Sequence, residues 1–480
     1  MSYINRAAED LLQKKFKQSK SVAITGARQV GKTTLTKTLF PNIKRINLRN
    51  MTLYNAAKKD PDGFLDSFER PLFIDEVQRV PELISSAKVI LDEVDGRSNY
   101  LFSGSQKWEL MKGLSESLAG MVSIMELLPL SMREIKGIHF NESFIPNDEY
   151  FKSREKELKQ YDNLWKTIHR GFYPELYDED ARDWEDYYQS YVSTYIERDV
   201  YDITKVRDYD AFYRFMVSVA ARTGNMLDYT NIANDVGISV ETVRLWISIL
   251  EATDIIFLLR PYYNSHLNRA IKTPKLYFRD TGLAAFLTSW LTPEALEHGA
   301  MAGAFFETFV VNEIAKSFVN SGKDFSKYVY YYRGKDKMRN KKDGGDYIEC
   351  EIDLIIEENG TLYPIEIKKN GNPNEHDADA FDVLDKDISK KRSIGAIICT
   401  GKYKLKLRDN LYVLPIEYIW LINICWSAGA KVDKGKNPIH FFLLKVILLR
   451  ESIYTKTPET FYIIVRRLRS KITWALKYLF

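Results

Sequence analysis

An α/β fold built on a parallel sheet is what the first part of this sequence predicts. Two observations carry that expectation: short apolar runs alternate with stretches of helical spacing, and those runs end in polar residues. A third observation is length, because at 480 residues the chain has room for roughly two to four domains. Beyond the first of these it holds a helix-turn-helix pattern near 229–250 and a pair of acidic strands near 348–369.

Residues 1–20 place Ala7, Ala8, Leu11, Leu12 and Phe16 among basic residues, as an amphipathic helix would. The run Val22-Ala23-Ile24 then reads as a buried strand, and Thr34–Leu39 reads as a helix. Between them lies Gly26-Ala27-Arg28-Gln29-Val30-Gly31-Lys32-Thr33, a G-x-x-x-x-G-K-[ST] loop in its strand–loop–helix context. Such a loop turns backbone N–H groups toward a polyphosphate, and the helix N-terminus adds a positive dipole. Gly26 to Thr34 are therefore the expected nucleotide-binding residues, with Lys32 on the β- and γ-phosphates and Thr33 on Mg²⁺.

Ile43–Leu48, Pro71–Glu76 and Tyr100–Ser105 read as further strands, with a helix over Pro81–Asp95. Ligands of such sheets bind at the carboxyl ends of the strands. Asp75 is thus expected to hold Mg²⁺ through its water shell, and Glu76 to polarise the attacking water. Ser105 or Gln106 would sense the γ-phosphate. ATP and Mg²⁺ are the expected cofactors.

The runs Gly26–Leu35, Leu72–Gln78 and Leu101–Gln106 together resemble a large family of bacterial and archaeal AAA-superfamily ATPases. Ser117-Leu118-Ala119-Gly120, Gly171–Glu175 and Tyr195–Val200 resemble later signatures of that family, and the similarity runs to about residue 420. Met121 stands where the family usually carries Arg. Arg198 is then the candidate cation for the γ-phosphate, in cis or in trans, or else a structural partner of Glu197 or Asp199.

Residues 136–170 are charged and Tyr-rich and read as a linker or lid, with helical spacing returning at Trp184–Val200. Ile232–Ser239 reads as helix, turn and cap, Glu241–Leu250 as a second helix, and Ile255–Leu259 as a wing strand. This is a winged-helix pattern. The second helix offers only Arg244 as a cation, so contact with DNA and contact with a protein are both open.

Further on, Phe305–Ile314 reads as a helix with Glu307 near its start. Ile348–Ile356 and Thr361–Lys369 read as strands joined by a Glu358-Asn359-Gly360 turn. Period-two geometry puts Glu366 and Lys368 on one face. With Asp353 this resembles the D…E-x-K core of restriction-endonuclease-like folds, which implies Mg²⁺ on Glu307, Asp353 and Glu366. Lys368 would then orient water or stabilise phosphate charge. A solvent-facing cross-strand pair is the plainer alternative. Ser393–Cys399 and Leu411–Ile416 read as closing strands.

Composition is that of a soluble globular protein, 45% hydrophobic and 28% charged. Three separated cysteines, Cys350, Cys399 and Cys425, indicate neither a disulfide framework nor a zinc knuckle. No signal core and no membrane-length apolar run is present, so the cytoplasm is the expected compartment. Net charge is +4, yet residues 431–480 carry 11 Lys and Arg against 3 Asp and Glu. Residues 461–479 form a basic amphipathic pattern suited to an anionic surface, or to docking on a protein.

The expected organisation is an ATPase core over 1–135, linker helices over 136–200, a winged helix over 201–290, a nuclease-like domain over 291–420 and a basic extension over 421–480. The expected function is ATP binding and hydrolysis with a Mg²⁺-dependent nuclease-like domain, ATP occupancy exposing or aligning a nucleic-acid site. A nucleotide-gated switch with a silent nuclease fold, and an ATP-dependent scaffold acting on proteins or membranes, are the alternatives. Expected partners are nucleic acid (DNA before RNA), a protein bound through the winged helix or the tail, and a second copy of the chain.

Overall fold

The structure, a computed structural model, describes residues 3–104, 120–152, 161–195, 208–263, 272–337, 347–386 and 390–421. Residues Met1–Asn423 make one compact unit, and the remaining unit, Ile424–Phe480, lies outside the described residues together with the expected basic helix.

The N-terminal sheet contains β1 (Ser21–Thr25), β2 (Lys44–Asn47), β3 (Leu72–Asp75), β4 (Tyr100–Ser103) and β5 (Val122–Glu126). Their order is β2-β3-β4-β1-β5, and every pairing is parallel. Strands β1, β3 and β4 are buried along their whole length, which is why they read as unbroken apolar runs. One face packs on helix Glu82–Glu93 through Leu83, Ile84, Ala87 and Leu91. The other joins Leu12, Phe16 and Leu35 of helices Glu9–Gln18 and Lys32–Leu39. Strand β5 is an edge strand with only Met125 fully buried, so its sequence carries no apolar run to announce it.

Further along the chain, helices Tyr229–Val236 and Val240–Ala252 succeed one another closely. Asp228 and Ser239 cap their starts by accepting backbone N–H groups, and Gly237 ends the first at φ +78°, a left-handed position that suits glycine. Ile232, Val236, Val243, Ile247 and Leu250 are all buried, as the spacing predicts. Arg244, the lone cation of the second helix, lies 4.4 Å over the Tyr229 ring and so is engaged within its own fold. The pair runs into a two-stranded antiparallel ribbon, β6 (Ile256–Leu259) and β7 (Lys275–Phe278).

The C-terminal sheet holds β8 (Val329–Lys337), β9 (Tyr347–Glu358), β10 (Thr361–Lys368), β11 (Lys391–Arg392), β12 (Gly395–Cys399), β13 (Leu405–Arg408) and β14 (Leu411–Pro415). The order is β13-β14-β12-β10-β9-β8, with β11 paired to β10 off this path. Strands β9 and β10 form an antiparallel hairpin that places Thr361 opposite Glu358 and Ile365 opposite Leu354. Its turn residues Asn359 and Gly360 both have positive φ, 51° and 76°, the geometry of a type I′ turn.

Helix Ala302–Asn320 ties these parts together and is buried nearly all round. Its polar residues are satisfied by neighbours from elsewhere in the chain. Glu313 accepts the Met132 N–H at 2.9 Å, Lys316 donates to the Leu130 carbonyl at 2.8 Å, and Asn312 donates to the Phe278 carbonyl at 2.8 Å. One apolar cluster runs from Ala8 through this helix to Trp420. Within 136–170, Phe144, Tyr150 and Phe151 belong to that cluster, and Tyr161 N–H donates to Glu417 at 2.9 Å. The expected linker thus sends these residues into the core, while Lys136, His139, Asp148 and Glu149 stay exposed. Among the described residues no helix is long and apolar enough to cross a membrane.

Candidate functional site

The loop after β1 is shaped by two glycines that no other residue replaces easily. Gly26 has φ +142°, and a Cβ there would lie 2.2 Å from the Leu127 carbonyl oxygen. Gly31, at φ +94°, starts helix Lys32–Leu39 from a left-handed position. Lys32 folds back over the loop, its Nζ donating to the Gly26 and Ala27 carbonyls at 2.7 Å each. Burial pushes this ammonium down to about 8, although Glu76 and Asp75 act in the opposite sense.

The carboxyl ends of β2, β3 and β4 meet beside it. Asp75, in register with Asn47 and Ser103, accepts from Thr33 Oγ1 at 3.0 Å, from Asn47 Nδ2 at 3.3 Å and from the Ser103 hydroxyl. Glu76 comes next at φ +58° and pairs with Arg49, while Gln78 Nε2 donates to it at 2.5 Å. Burial alone would raise the Glu76 carboxyl, but Arg49 and Lys32 hold it below the usual range. Lys32, Thr33, Asp75 and Glu76 thus share one place, a cleft of about 600 Å³. That volume lies inside the roughly 300–1,000 Å³ range of small-molecule sites. Arg28, Gln29, Gly31 and Thr34 also line it, whereas Ala27 and Val30 are buried.

The other wall comes from outside the N-terminal sheet: Pro174, Glu175, Asp178, Tyr191 and Thr194, with Tyr3 and Arg6 from the chain start. Arg6 is a residue that sequence reasoning missed. Its guanidinium is buried and donates to Glu134 at 2.8 Å, to the Val30 carbonyl at 2.6 Å and to the Leu128 carbonyl at 2.6 Å. Tyr187 was missed as well; its hydroxyl donates to Gln29 Oε1 at 2.6 Å, and Gln29 sits at φ +61° in the loop itself. The adjacent Tyr188 donates to Asp280 at 2.6 Å, which also accepts the Phe172 N–H at 2.6 Å. Asn47 and Arg49 were signalled only by their place at the end of β2. Ser105 and Arg198, expected to face the γ-phosphate, lie outside the described residues.

A second polar centre forms where helix Ala302–Asn320, β9 and β10 meet. Lys368 Nζ donates to Glu366 at 2.7 Å, as the shared strand face predicts. Asp353 accepts the Ile367 N–H at 2.8 Å, and Glu307 accepts the Tyr277 hydroxyl at 2.6 Å. Burial first, and the neighbouring Asp353 second, push Glu307 up to about 7 and Glu366 up to about 8. Lys275 of β7, absent from the sequence expectation, reaches two of these carboxylates and Glu351 as well. Its Nζ lies 2.6 Å from Glu351, 3.1 Å from Glu307 and 3.7 Å from Asp353. Burial would lower this ammonium, but Glu307, Asp353 and Glu351 raise it. Among the described residues no group of three or more His, Cys, Asp or Glu side chains is arranged to hold a metal ion. Glu307, Asp353 and Glu366, the residues expected to hold Mg²⁺, each accept a hydrogen bond from a protein donor.

Comparison with known proteins accords with the N-terminal geometry. Residues 18–136 match a family model described as an AAA domain. Residues 161–294 and 302–419 match two families described as domains of unknown function, DUF8612 and DUF4143. An uncharacterized protein of Mycobacterium tuberculosis is 25% identical over 419 residues, spanning 86% of this chain and 84% of its own length. An uncharacterized protein of Methanocaldococcus jannaschii is 24% identical over 443 residues, spanning 87% and 90%. Among solved structures, a Walker-type ATPase of Pyrococcus abyssi aligns at 12% identity and a TM-score of 0.35, over 59% of this chain and 96% of that one. The chain therefore carries an AAA-type P-loop ATPase domain followed by a DUF4143 domain.

Proposed function

We propose that this AAA-type domain binds ATP with Mg²⁺ in the cleft and hydrolyses it, and that the chain is a nucleotide-gated switch. The observation that carries the reading is the convergence of Lys32, Thr33, Asp75 and Glu76 on one cleft whose far wall belongs to another part of the chain. Thr33 and Asp75 would hold Mg²⁺, which would supply neutralisation of the phosphate charge. Lys32 would leave the Gly26 and Ala27 carbonyls for the β- and γ-phosphates. Glu76 would orient the attacking water and take its proton, once its pairing with Arg49 yields.

Switching is suggested by what the loop touches. Gln29 is bonded to Tyr187, and Val30 to Arg6. The segment after β5 gives its Leu128 carbonyl to Arg6 and its Leu130 carbonyl to Lys316 of the central helix. A change in loop conformation would therefore reach the far wall of the cleft through Tyr187 and Arg6, and the central helix Ala302–Asn320 through the segment that carries Leu128 and Leu130. Equilibrium ATP binding tests the reading. Wild-type protein is expected to bind MgATP, and Lys32→Ala to lose binding while keeping its circular dichroism spectrum. Equal binding by both would overturn it.

The second reading assigns the C-terminal sheet to nucleic acid, with DNA before RNA, in the cytoplasm. What supports it is the meeting of Glu307, Asp353, Glu366 and Lys368, together with a helix pair followed by a two-stranded ribbon, the succession a winged helix would have. Cleavage of DNA or RNA with Mg²⁺ or Mn²⁺, lost in Asp353→Ala, would support the nuclease form. Binding without cleavage under every condition would support the switch.

A further inference from the structure

Four carboxylates face two ammonium groups at the second centre, and the two lysines come from different parts of the chain. Lys368 is on β10 beside its partner Glu366. Lys275 opens β7 of the ribbon, is almost wholly buried, and reaches into a sheet to which it does not belong. The ribbon is held at that spot by contacts at Lys275 and just beyond its strands. Met226 bridges to Lys275, Pro261 bridges to Tyr331 of β8, and the Tyr331 hydroxyl donates to the Thr273 carbonyl. The position of Lys275 is thus fixed by main chain as well as by charge.

The distances identify the kind of cation the centre suits. Oxygens of Glu351, Glu307 and Asp353 lie 2.6, 3.1 and 3.7 Å from one Nζ. The first two are N–H···O separations and the third is an ion-pair distance, whereas Mg²⁺ requires oxygens at roughly 2.0–2.1 Å in an octahedron. An ammonium has three donors, and three carboxylates surround this one. Asp353 and Glu307 also spend acceptor capacity on the Ile367 N–H and the Tyr277 hydroxyl. A divalent ion placed between the same oxygens would stand within a few ångströms of the buried ammonium. That repulsion opposes entry of the ion as long as the ammonium stays in place.

We propose that the ammonium of Lys275 is the resident cation of this centre, filling the position a divalent metal would take and latching the ribbon to the C-terminal sheet. The centre of the full chain then binds no Mg²⁺ or Mn²⁺ while the latch is closed, and removing the ammonium converts it into a divalent-cation site. This goes beyond the ATP reading and does not depend on it, and it stands against the nuclease form of the second reading, which needs a metal ion at Asp353.

Mn²⁺ binding to the nucleotide-free full-length protein, followed by electron paramagnetic resonance, tests the proposal. Wild type and Asp353→Asn are expected to bind Mn²⁺ indistinguishably, because the aspartate is engaged by Lys275. Lys275→Met is expected to gain one Mn²⁺ equivalent, at least about tenfold tighter than anything in wild type, and Lys275→Met/Asp353→Asn to lose it again. A wild-type Mn²⁺ site that disappears in Asp353→Asn would overturn the proposal. So would a folded Lys275→Met that gains no Mn²⁺. Should Lys275→Met fail to fold, wild type against Asp353→Asn decides alone: equal binding supports the latch and a lost site refutes it.

Discussion

Replacing Arg6 with methionine isolates the support beneath the phosphate loop. The substitution keeps the apolar stem and removes a buried guanidinium with three acceptors: Glu134, the Val30 carbonyl and the Leu128 carbonyl. Removing one partner of a buried ion pair typically costs about 3–5 kcal/mol. Glu134 still receives the N–H groups of Ala7 and Ser131 and the Ser131 hydroxyl, so the lower end of that range applies to overall stability. The bond to Val30 is the part that belongs to the loop. A hydrogen bond from a charged donor is worth about 1.5–3 kcal/mol, which converts to a loss of ATP affinity on the order of 10- to 100-fold. Calorimetric titration with MgATP, beside a thermal melt, separates the two effects. Arg6→Lys, which keeps the charge without the planar fork, should recover only part of the loss. A folded Arg6→Met that binds ATP within about twofold of wild type would refute the assigned role.

Two further outcomes are expected. Tyr187→Phe leaves Gln29 Oε1 without its donor inside the loop, at a cost of about 1 kcal/mol or more, so ATP affinity should fall about fivefold; unchanged affinity would cut this link between loop and helix. For pH, Lys32 of the nucleotide-free protein sits at about 8, and phosphate binding favours its charged form. Binding should therefore take up a proton above that value and weaken by up to about tenfold per pH unit, with no slope from this group well below it. Calorimetry at a pH of about 8.5, in buffers of different ionisation heat, should register about three-quarters of a proton taken up per ATP, and zero uptake would contradict the assignment.

The features legible in the sequence were local ones. Strands β1, β3 and β4 are buried on both faces, so burial wrote itself as contiguous apolar letters ending in Asp75 and Ser103. The β9–β10 hairpin was legible because Asn359-Gly360 fixes its register, and with it the separation of Asp353 from Glu366. The hidden features depend on long-range partners. Phe144, Tyr150 and Phe151 sit in a charged stretch whose core contacts, including Tyr412 and Tyr418, lie far along the chain. Arg6 looked like one more cation on an amphipathic segment, and no local pattern marks its reach to Val30 and Leu128. Lys275 is a strand-opening lysine with no motif around it, and only the fold brings it to Glu307, Glu351 and Asp353.

Single-turnover hydrolysis of bound ATP by Glu76→Gln tests the central claim most directly. The substitution keeps the shape of the side chain at the end of β3 and removes the base, whose loss typically costs about 10²- to 10⁴-fold in rate. Glu76→Gln is therefore expected to bind MgATP as tightly as wild type, within a few-fold, and to release inorganic phosphate at least about a hundredfold more slowly. Phosphate release at the wild-type rate would contradict the account.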